Sequence, residues 1–428
     1  MNSSNGYQRV DSYWYDQVPS NWKKTKNKYV FCQSKHVVGD DWEKFTLLTM
    51  GKSGVKPRDM DGGGKFPASF ETYQTVEPNQ LIFCLFDLDE TPRTLGISKD
   101  YGMITSAYDV FSTTEDNDPQ FWTYFYQMID DHKGLRPFYT GLRKVVRSET
   151  FMGIEVFSPP LEEQKRISRY LDKKTKQIDR LVEKIQKKVE LLKEQRTSLI
   201  NHFVTKGLNP NAEMRDSGVE WIGKIPKHWG IISIKFCTEI LRGKFTHRPR
   251  NDPDFYDGDY PFIQTGDISK SKKYITSYSQ TLNDQGFSVS KEFPIGTLVM
   301  GIAANIGKVS ILKIKSCFPD SIVGFYPKTN WKVDFLYYLF SSMTNEFIRN
   351  SVVSTQLNLN VDRIGEIKMP LVPKVEQEEI YTFLDKEENT YEKTIKLYNQ
   401  KIEKLNEFRQ SLISSVMTGK LRVSENMI

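Results

Sequence analysis

The residue patterns in this chain that could carry chemistry fall short of the spacing that chemistry needs. Residues 301–308 read Gly, five residues, Gly307-Lys308, and Val309 follows. A phosphate-binding loop has four residues between its glycines and a Ser or Thr after the lysine to hold magnesium, so this run does not fit. Gly51-Lys52-Ser53 carries the closing letters of that loop, but Thr46 stands where the first glycine belongs. The five histidines, His36, His132, His202, His228 and His247, show no HExxH or paired spacing, so no metal site is expected. There is no G-x-S-x-G elbow, and no Asn-Pro-Pro-Tyr or Asp-Pro-Pro-Phe run of the kind used to methylate base amino groups. Asp87, Asp89 and Glu90 read as a solvated acidic loop rather than a metal cluster. These patterns describe a binder: not an enzyme, and with no cofactor or metal of its own.

What it binds is suggested by loops rich in Gly, Lys, Arg, Gln and Asn. One run, residues 241–250, gathers Arg242, Lys244, His247, Arg248 and Arg250 in a segment unfit for regular helix. Gln264, Thr265, Lys270, Lys272, Lys273 and Tyr274 follow, and later Lys308. Gln356 and Asn358 supply amides suited to adenine edges, while Arg and Lys reach guanine or phosphate. Nearer the N-terminus the corresponding candidates are Lys52, Lys56 and Arg58 in a Gly-rich loop, then Arg93, Lys99 and Tyr101, then Arg143, Lys144 and Arg147. One such loop alone is ordinarily only solvated. Their recurrence in both halves of the chain favours a nucleic-acid partner.

The elements that must position these loops come from a duplication. Pro160-Leu-Glu-Glu-Gln-Lys-Arg-Ile and Pro373-Lys-Val-Glu-Gln-Glu-Glu-Ile open two copies of one segment, 213 residues apart at Gln164 and Gln377. The same offset carries Leu171-Asp172 onto Leu384-Asp385, Arg196 onto Arg409, Ser198-Leu-Ile onto Ser411-Leu-Ile, and Thr205 onto Thr418. Apolar residues recur at seven-residue steps in Leu171, Ile178, Ile185, Leu192 and Leu199, and again in Leu384, Tyr391, Tyr398, Leu405 and Leu412. Pro and Glu open each copy and a glycine, Gly207 or Gly419, closes it, with no Gly or Pro inside. The spacing predicts two long helices, residues 160–207 and 373–420, each a rod of roughly 60 Å at 1.5 Å per residue.

The rods are expected to pair with each other. Parallel packing would require the intervening domain to span the whole rod, whereas a domain of ~150 residues has a radius of gyration of only about 15 Å. An antiparallel coiled coil with globular α/β units at opposite ends, related by a pseudo-two-fold axis, needs no such return. Arg196 and Arg409 interrupt the seam equivalently. Their stems are expected to lie along it with heads in water; the alternative is that they set register or meet a partner.

The globular units are residues 1–159 and, after a polar linker at 208–217, the stretch to 372; residues 421–428 form a tail. Each unit opens with the same Trp…Pro-x-x-Trp frame, at Trp14, Pro19, Trp22 and at Trp221, Pro226, Trp229. Apolar runs at 81–86 and 297–300 read as buried strands, with helices to follow at 121–129 and 333–340, making the class α+β. A formal charge of +6 is too small by itself to prove a polyanion partner. Cys32, Cys84, Cys237 and Cys317 lack CxxC spacing and are expected to be buried free thiols of a cytoplasmic protein. The N-terminus resembles no export signal, and no apolar run is long enough to span a bilayer.

Glu-Gln at each helix opening, Leu-Asp seven residues on, Arg-x-Ser-Leu-Ile near each end and the Trp…Pro-x-x-Trp frames together resemble the specificity subunit of Type I restriction-modification systems. In the second unit Tyr260-Pro-Phe-Ile-Gln-Thr-Gly-Asp-Ile268, Ile302-Ala-Ala-Asn-Ile-Gly-Lys-Val309 and Ser354-Thr-Gln-Leu-Asn-Leu359 are similar to that family's target-recognition domains. The first unit has no clear counterpart to the latter motifs. The resemblance implies that the partner is double-stranded DNA, that each unit reads one half of a split site in it and that the coiled coil sets the gap. It further implies that adenine methyltransferase subunits, two per chain, dock on it, joined by restriction and translocase subunits. S-adenosylmethionine, ATP and Mg would then belong to those partners. A stand-alone two-headed DNA-binding regulator and a coiled-coil scaffold without nucleic acid are the alternatives.

Overall fold

The computed structural model describes residues 6–51, 54–59, 69–303, 305–353 and 357–428. In it Gln164 and Gln377 are both buried and make matching bonds. The Gln164 amide donates to the Pro159 carbonyl (2.9 Å) and the Ser158 hydroxyl (3.1 Å), and its oxygen accepts from the Asp118 N–H (2.9 Å). Gln377 donates to the carbonyls of Val372 (2.8 Å) and Asn330 (3.1 Å) and accepts from the Lys332 N–H (2.9 Å). Asp118 and Lys332 are the N-caps of the helices Pro119–Asp131 and Val333–Ser342. The start of each long helix is thus keyed to the start of a shorter one.

The rest of the repeated motif follows suit. Leu171 and Leu384 are core residues, while the neighbouring carboxylates Asp172 and Asp385 accept from the hydroxyls of Tyr124 (2.8 Å) and Tyr338 (2.5 Å) on those shorter helices. Trp22 and Trp229 are buried, and their indole N–H groups donate to Glu163 (3.3 Å) and Glu376 (3.1 Å), the residues just before the paired glutamines. Trp14 and Trp221 do not correspond in this way: Trp14 donates to the Gly134 carbonyl and Trp221 to that of Lys368.

The long helices run Leu161–Lys206 and Lys374–Met417. Gly207 and Gly419 close them at φ of 76° and 70°, the left-handed conformation that glycine adopts without strain. At Gly419 a β-carbon would stand 2.3 Å from Pro19 Cδ, so the close approach excludes any other residue.

Two compact units divide the chain, one comprising Met1–Gln186 with Asn399–Ile428, the other Lys187–Tyr398. The division passes through both long helices. In the first unit Leu171 and Ile178 from the start of one helix share a core with Leu412, Ile413, Val416 and Met417 from the end of the other. In the second, Ile200 and Val204 from the end of the first helix meet Ile380 and Leu384 from the start of the second. Within each unit the helices therefore pack antiparallel. Ile185 is also buried, while Leu192, Leu199, Tyr391, Tyr398 and Leu405 are half-buried along the seam. Arg196 bonds Glu388 through two nitrogens, Nε to Oε2 at 2.6 Å, and Arg409 Nε lies 3.0 Å from Asp179 Oδ1. Both guanidiniums thus pair with a carboxylate of the facing helix while staying partly exposed to water.

The first unit holds an antiparallel four-stranded sheet in the order Phe31–Ser34, Asp109–Thr113, Leu81–Phe83, Leu95–Ile97. Rings of Phe31, Phe83, Phe111, Trp122, Tyr126 and Phe151 contact one another between this sheet and the helix Pro119–Asp131. Cys32 corrects the expectation of four buried thiols: it is exposed, because Phe31 turns inward on an edge strand and period two turns its neighbour out. In the second unit a five-stranded sheet runs Thr238–Arg242, Ile322–Pro327, Leu298–Gly301, Val309–Leu312, Tyr274–Ile275, beside a four-stranded one. The frame of the two units matches strand for strand, Lys23–Lys26 with Glu155–Ser158 in one and Gly230–Ser233 with Lys368–Leu371 in the other.

The linker is shorter than expected. Met214–Asp216 is a strand paired with Lys224–Pro226, equivalent to Tyr7–Arg9 with Gln17–Pro19. The tail is packed, with Val423 buried and its carbonyl accepting from Arg166 (2.9 Å). No helix among the described residues is long and apolar enough to cross a membrane.

Candidate nucleic-acid interface

Three loop segments singled out in the second unit converge on the end of one central strand. Leu298–Gly301 lies in the middle of the five-stranded sheet, and Ile302 leaves it. The Ile302 N–H donates to the Ser321 carbonyl (2.9 Å), and its own carbonyl accepts from the Leu359 N–H (3.1 Å). Gly301 exchanges backbone bonds with Lys308 and Gly307, both 3.2 Å, and a β-carbon on it would meet the Asn305 carbonyl at 3.1 Å and the Thr265 methyl at 3.8 Å. Thr265, Ile302 and Leu359 are therefore neighbours, although sequence separates them by tens of residues.

Within this cluster the polar residues divide into builders and exposed groups. Gln264 caps the short helix Thr265–Lys270 in a reciprocal box with Asp267 and also donates to Gln280 (2.9 Å). Thr265 is the first residue of that helix. Lys270 and Lys308 are exposed and have no ion-pair partner among the described residues. Lys272 pairs with Glu392 (2.6 Å) on the second long helix. Lys272, Lys308, Ser269, Arg196 and Glu392 line one cleft of about 330 Å³. Tyr274 donates to Asp334 (2.8 Å), and Lys273 is nearly enclosed between Asp334 (2.8 Å) and Asp385 (2.6 Å).

Beside this junction stands an arginine cluster built on one residue, Asp320. Asp320, next to Ser321, receives Arg250, and Arg248 Nη2 lies 3.5 Å away. Arg242 Nε donates to the Asp320 carbonyl (2.6 Å). Arg248 also donates to the carbonyls of Phe245 and His247, both 2.7 Å, which fixes the guanidinium against its own loop. Lys244 extends the cluster, exposed and without an ion-pair partner among the described residues. Two guanidiniums on one carboxylate and a third on the same residue's backbone carbonyl leave positive charge facing solvent, the arrangement that attracts phosphate.

The first unit treats its basic residues differently. Lys56, on the hairpin Leu48–Gly51 with Gly54–Pro57, lines one cleft with Arg93, Lys99, Gln127, Asp179 and Arg409. Arg93 is committed to Asp131 (2.9 Å) and Asp130 (3.5 Å), whereas Lys56 and Lys99 are exposed. Arg58 is half-buried. Arg143 bonds Asp87 (2.6 Å), and Lys144 bonds Asp89 (2.9 Å) and Glu90 (3.3 Å). The guanidinium beside Asp87 and the ammonium beside Asp89 hold both carboxyls below the ordinary range, and Arg136 adds to the effect at Asp89. The acidic loop expected to be merely solvated is thus the counter-ion of the basic one. Lys52 and Gln356 lie outside the described residues, and Asn358 is described only by its backbone, in the strand Leu357–Asn358.

Sequence reasoning missed Asp320 and the enclosure of Lys273. Among the described residues no three His, Cys, Asp or Glu side chains come together as a metal site.

Residues 226–407 match the model of the Type I restriction modification DNA specificity domain. The chain is similar to the MjaVIII specificity subunit of a Type I restriction enzyme from Methanocaldococcus jannaschii, 23% identical over 296 residues, 65% of this chain and 64% of the relative. It is also similar to the MjaIX specificity subunit of the same organism, 29% identical over 168 residues, 38% of each chain. The matches span less than two thirds of either relative's length. In fold, it resembles a chain from a structure describing complex assembly and conformational transition of the type I R-M system, with a TM-score of 0.69 and 14% identity over 94% of this chain and 99% of that one. The HsdS subunit from Thermoanaerobacter tengcongensis gives a TM-score of 0.50 at 13% identity, covering 95% and 99%.

Proposed function

We propose, from the match of residues 226–407 to the Type I restriction modification DNA specificity domain and the likeness to specificity subunits, that this chain is the sequence-reading subunit of such a system. It is not itself the catalyst. Each unit reads one half of a bipartite duplex site through its loops, and the paired helices set the gap between halves and dock adenine methyltransferase subunits, two per chain. Restriction and translocase subunits complete the assembly, and S-adenosylmethionine, ATP and Mg are handled by those partners.

One observation carries the reading: three loop segments distant in sequence meet at Gly301 and Ile302, beside the arginines gathered at Asp320. Loops at the end of a rigid central strand are suited to base contact, and the arginines to phosphate. The duplicated frame, in which Gln164 and Gln377 do the same work, supports two readers of one design.

Mapping methylated adenines in the host genome with and without this gene tests the proposal. Loss of one split motif, with two defined halves and a fixed gap, is expected on deletion. An unchanged methylation map would contradict it.

A further inference from the structure

The two units differ in charge as well as in loop structure. Residues 1–159 contain 18 Lys and Arg against 21 Asp and Glu, a net of −3; residues 208–372 contain 20 against 16, a net of +4. Pairing sharpens the contrast. In the first unit Arg143 and Lys144 face Asp87, Asp89 and Glu90, and Arg93 faces two aspartates, so that of its described candidates Lys56 and Lys99 are the exposed lysines outside an ion pair. In the second, three arginines gather on Asp320 alone, and Lys244, Lys270 and Lys308 are exposed with no ion-pair partner among the described residues. A paired cation must give up its carboxylate before it neutralises a phosphate, so only the unpaired ones add fully to counter-ion release.

We infer that the second unit supplies the larger part of the electrostatic grip on the DNA backbone, and that the first reads its half-site with less neutralisation of phosphate. The inference rests on the proposed DNA reading and assigns the larger share of that reading's salt-dependent part to one unit. Non-specific capture of duplex then runs mainly through the second unit, and the first adds base discrimination once the duplex is held.

The test uses the full chain assembled with its methyltransferase partners and a random-sequence duplex of about 40 bp, with affinity measured between about 50 and 200 mM salt. Each phosphate contact contributes about 0.9 to the slope of log affinity against log salt. Lys244→Gln, Lys270→Gln and Lys308→Gln combined are expected to lower that slope by about 2 to 3, and the three Lys→Arg replacements to restore it. Arg143→Gln and Lys144→Gln combined, both already paired with carboxylates, should lower it by less than about 1. Equal losses in the two sets, or a larger loss from the first unit, would overturn the inference while leaving DNA reading intact. A parent assembly whose binding shows no salt dependence would overturn the DNA reading itself.

Discussion

Lys273 shows how far a residue's role can depart from its residue type. In sequence it is one of several basic residues in a loop, yet its side chain is 12% exposed and held by Asp334 and Asp385, with the Tyr338 ring 5.0 Å away. Burial pushes its pKa down, but the bonds to the two carboxylates outweigh burial and hold the ammonium above the ordinary lysine value. Burial likewise pushes Asp334 up, and hydrogen bonds from Lys273 and Tyr274 outweigh that too, leaving it below the usual aspartate range. A depressed carboxyl stabilises the fold above its unfolded pKa, here near 3.8, and the contribution is lost as pH falls through the folded value. Asp334→Asn should therefore melt lower than the parent at neutral pH, with the gap closing below about pH 4. A gap that stays constant with pH would contradict the pairing. Lys273→Met should cost about 2 kcal/mol in chemical denaturation, since it strands two half-buried carboxylates, and a loss under about 0.5 kcal/mol would count against the enclosure.

At the scale of elements, the long helices were legible because a strict seven-residue period, sustained over forty or so residues, keeps one apolar stripe on one face of a helix and suits no strand or loop. The role of the paired glutamines was not legible. Their partners at Asp118 and Lys332 stand 214 residues apart rather than 213, outside the gapless match, so the repeat was visible and its purpose hidden. Gln164→Ala and Gln377→Ala should each cost about 1–3 kcal/mol, because each leaves a helix-capping N–H and buried carbonyls without a partner. Thermal and chemical denaturation of both variants checks this, and a loss in only one would break the equivalence. Charge at loops was the least legible feature. Arg143 and Lys144 look free in their own segment, but Asp87 and Glu90, 56 and 54 residues away, neutralise them. Asp320 is 70 residues from Arg250. Only the folded sheet brings such pairs together, and no local pattern announces them.

At the scale of the whole molecule, the proposed function makes the helices a spacer and the units separate readers. Inserting one heptad into each long helix should change the gap between methylated half-sites while leaving both halves intact; an unchanged gap would remove the spacer role. Independence of the readers is tested by exchanging residues 218–372 for the corresponding segment of a relative with a different target, then mapping methylated adenines. One half of the site is predicted to change to the donor's while the other half stays as it was. A change in both halves, or in neither, would contradict two independent readers on one duplicated frame.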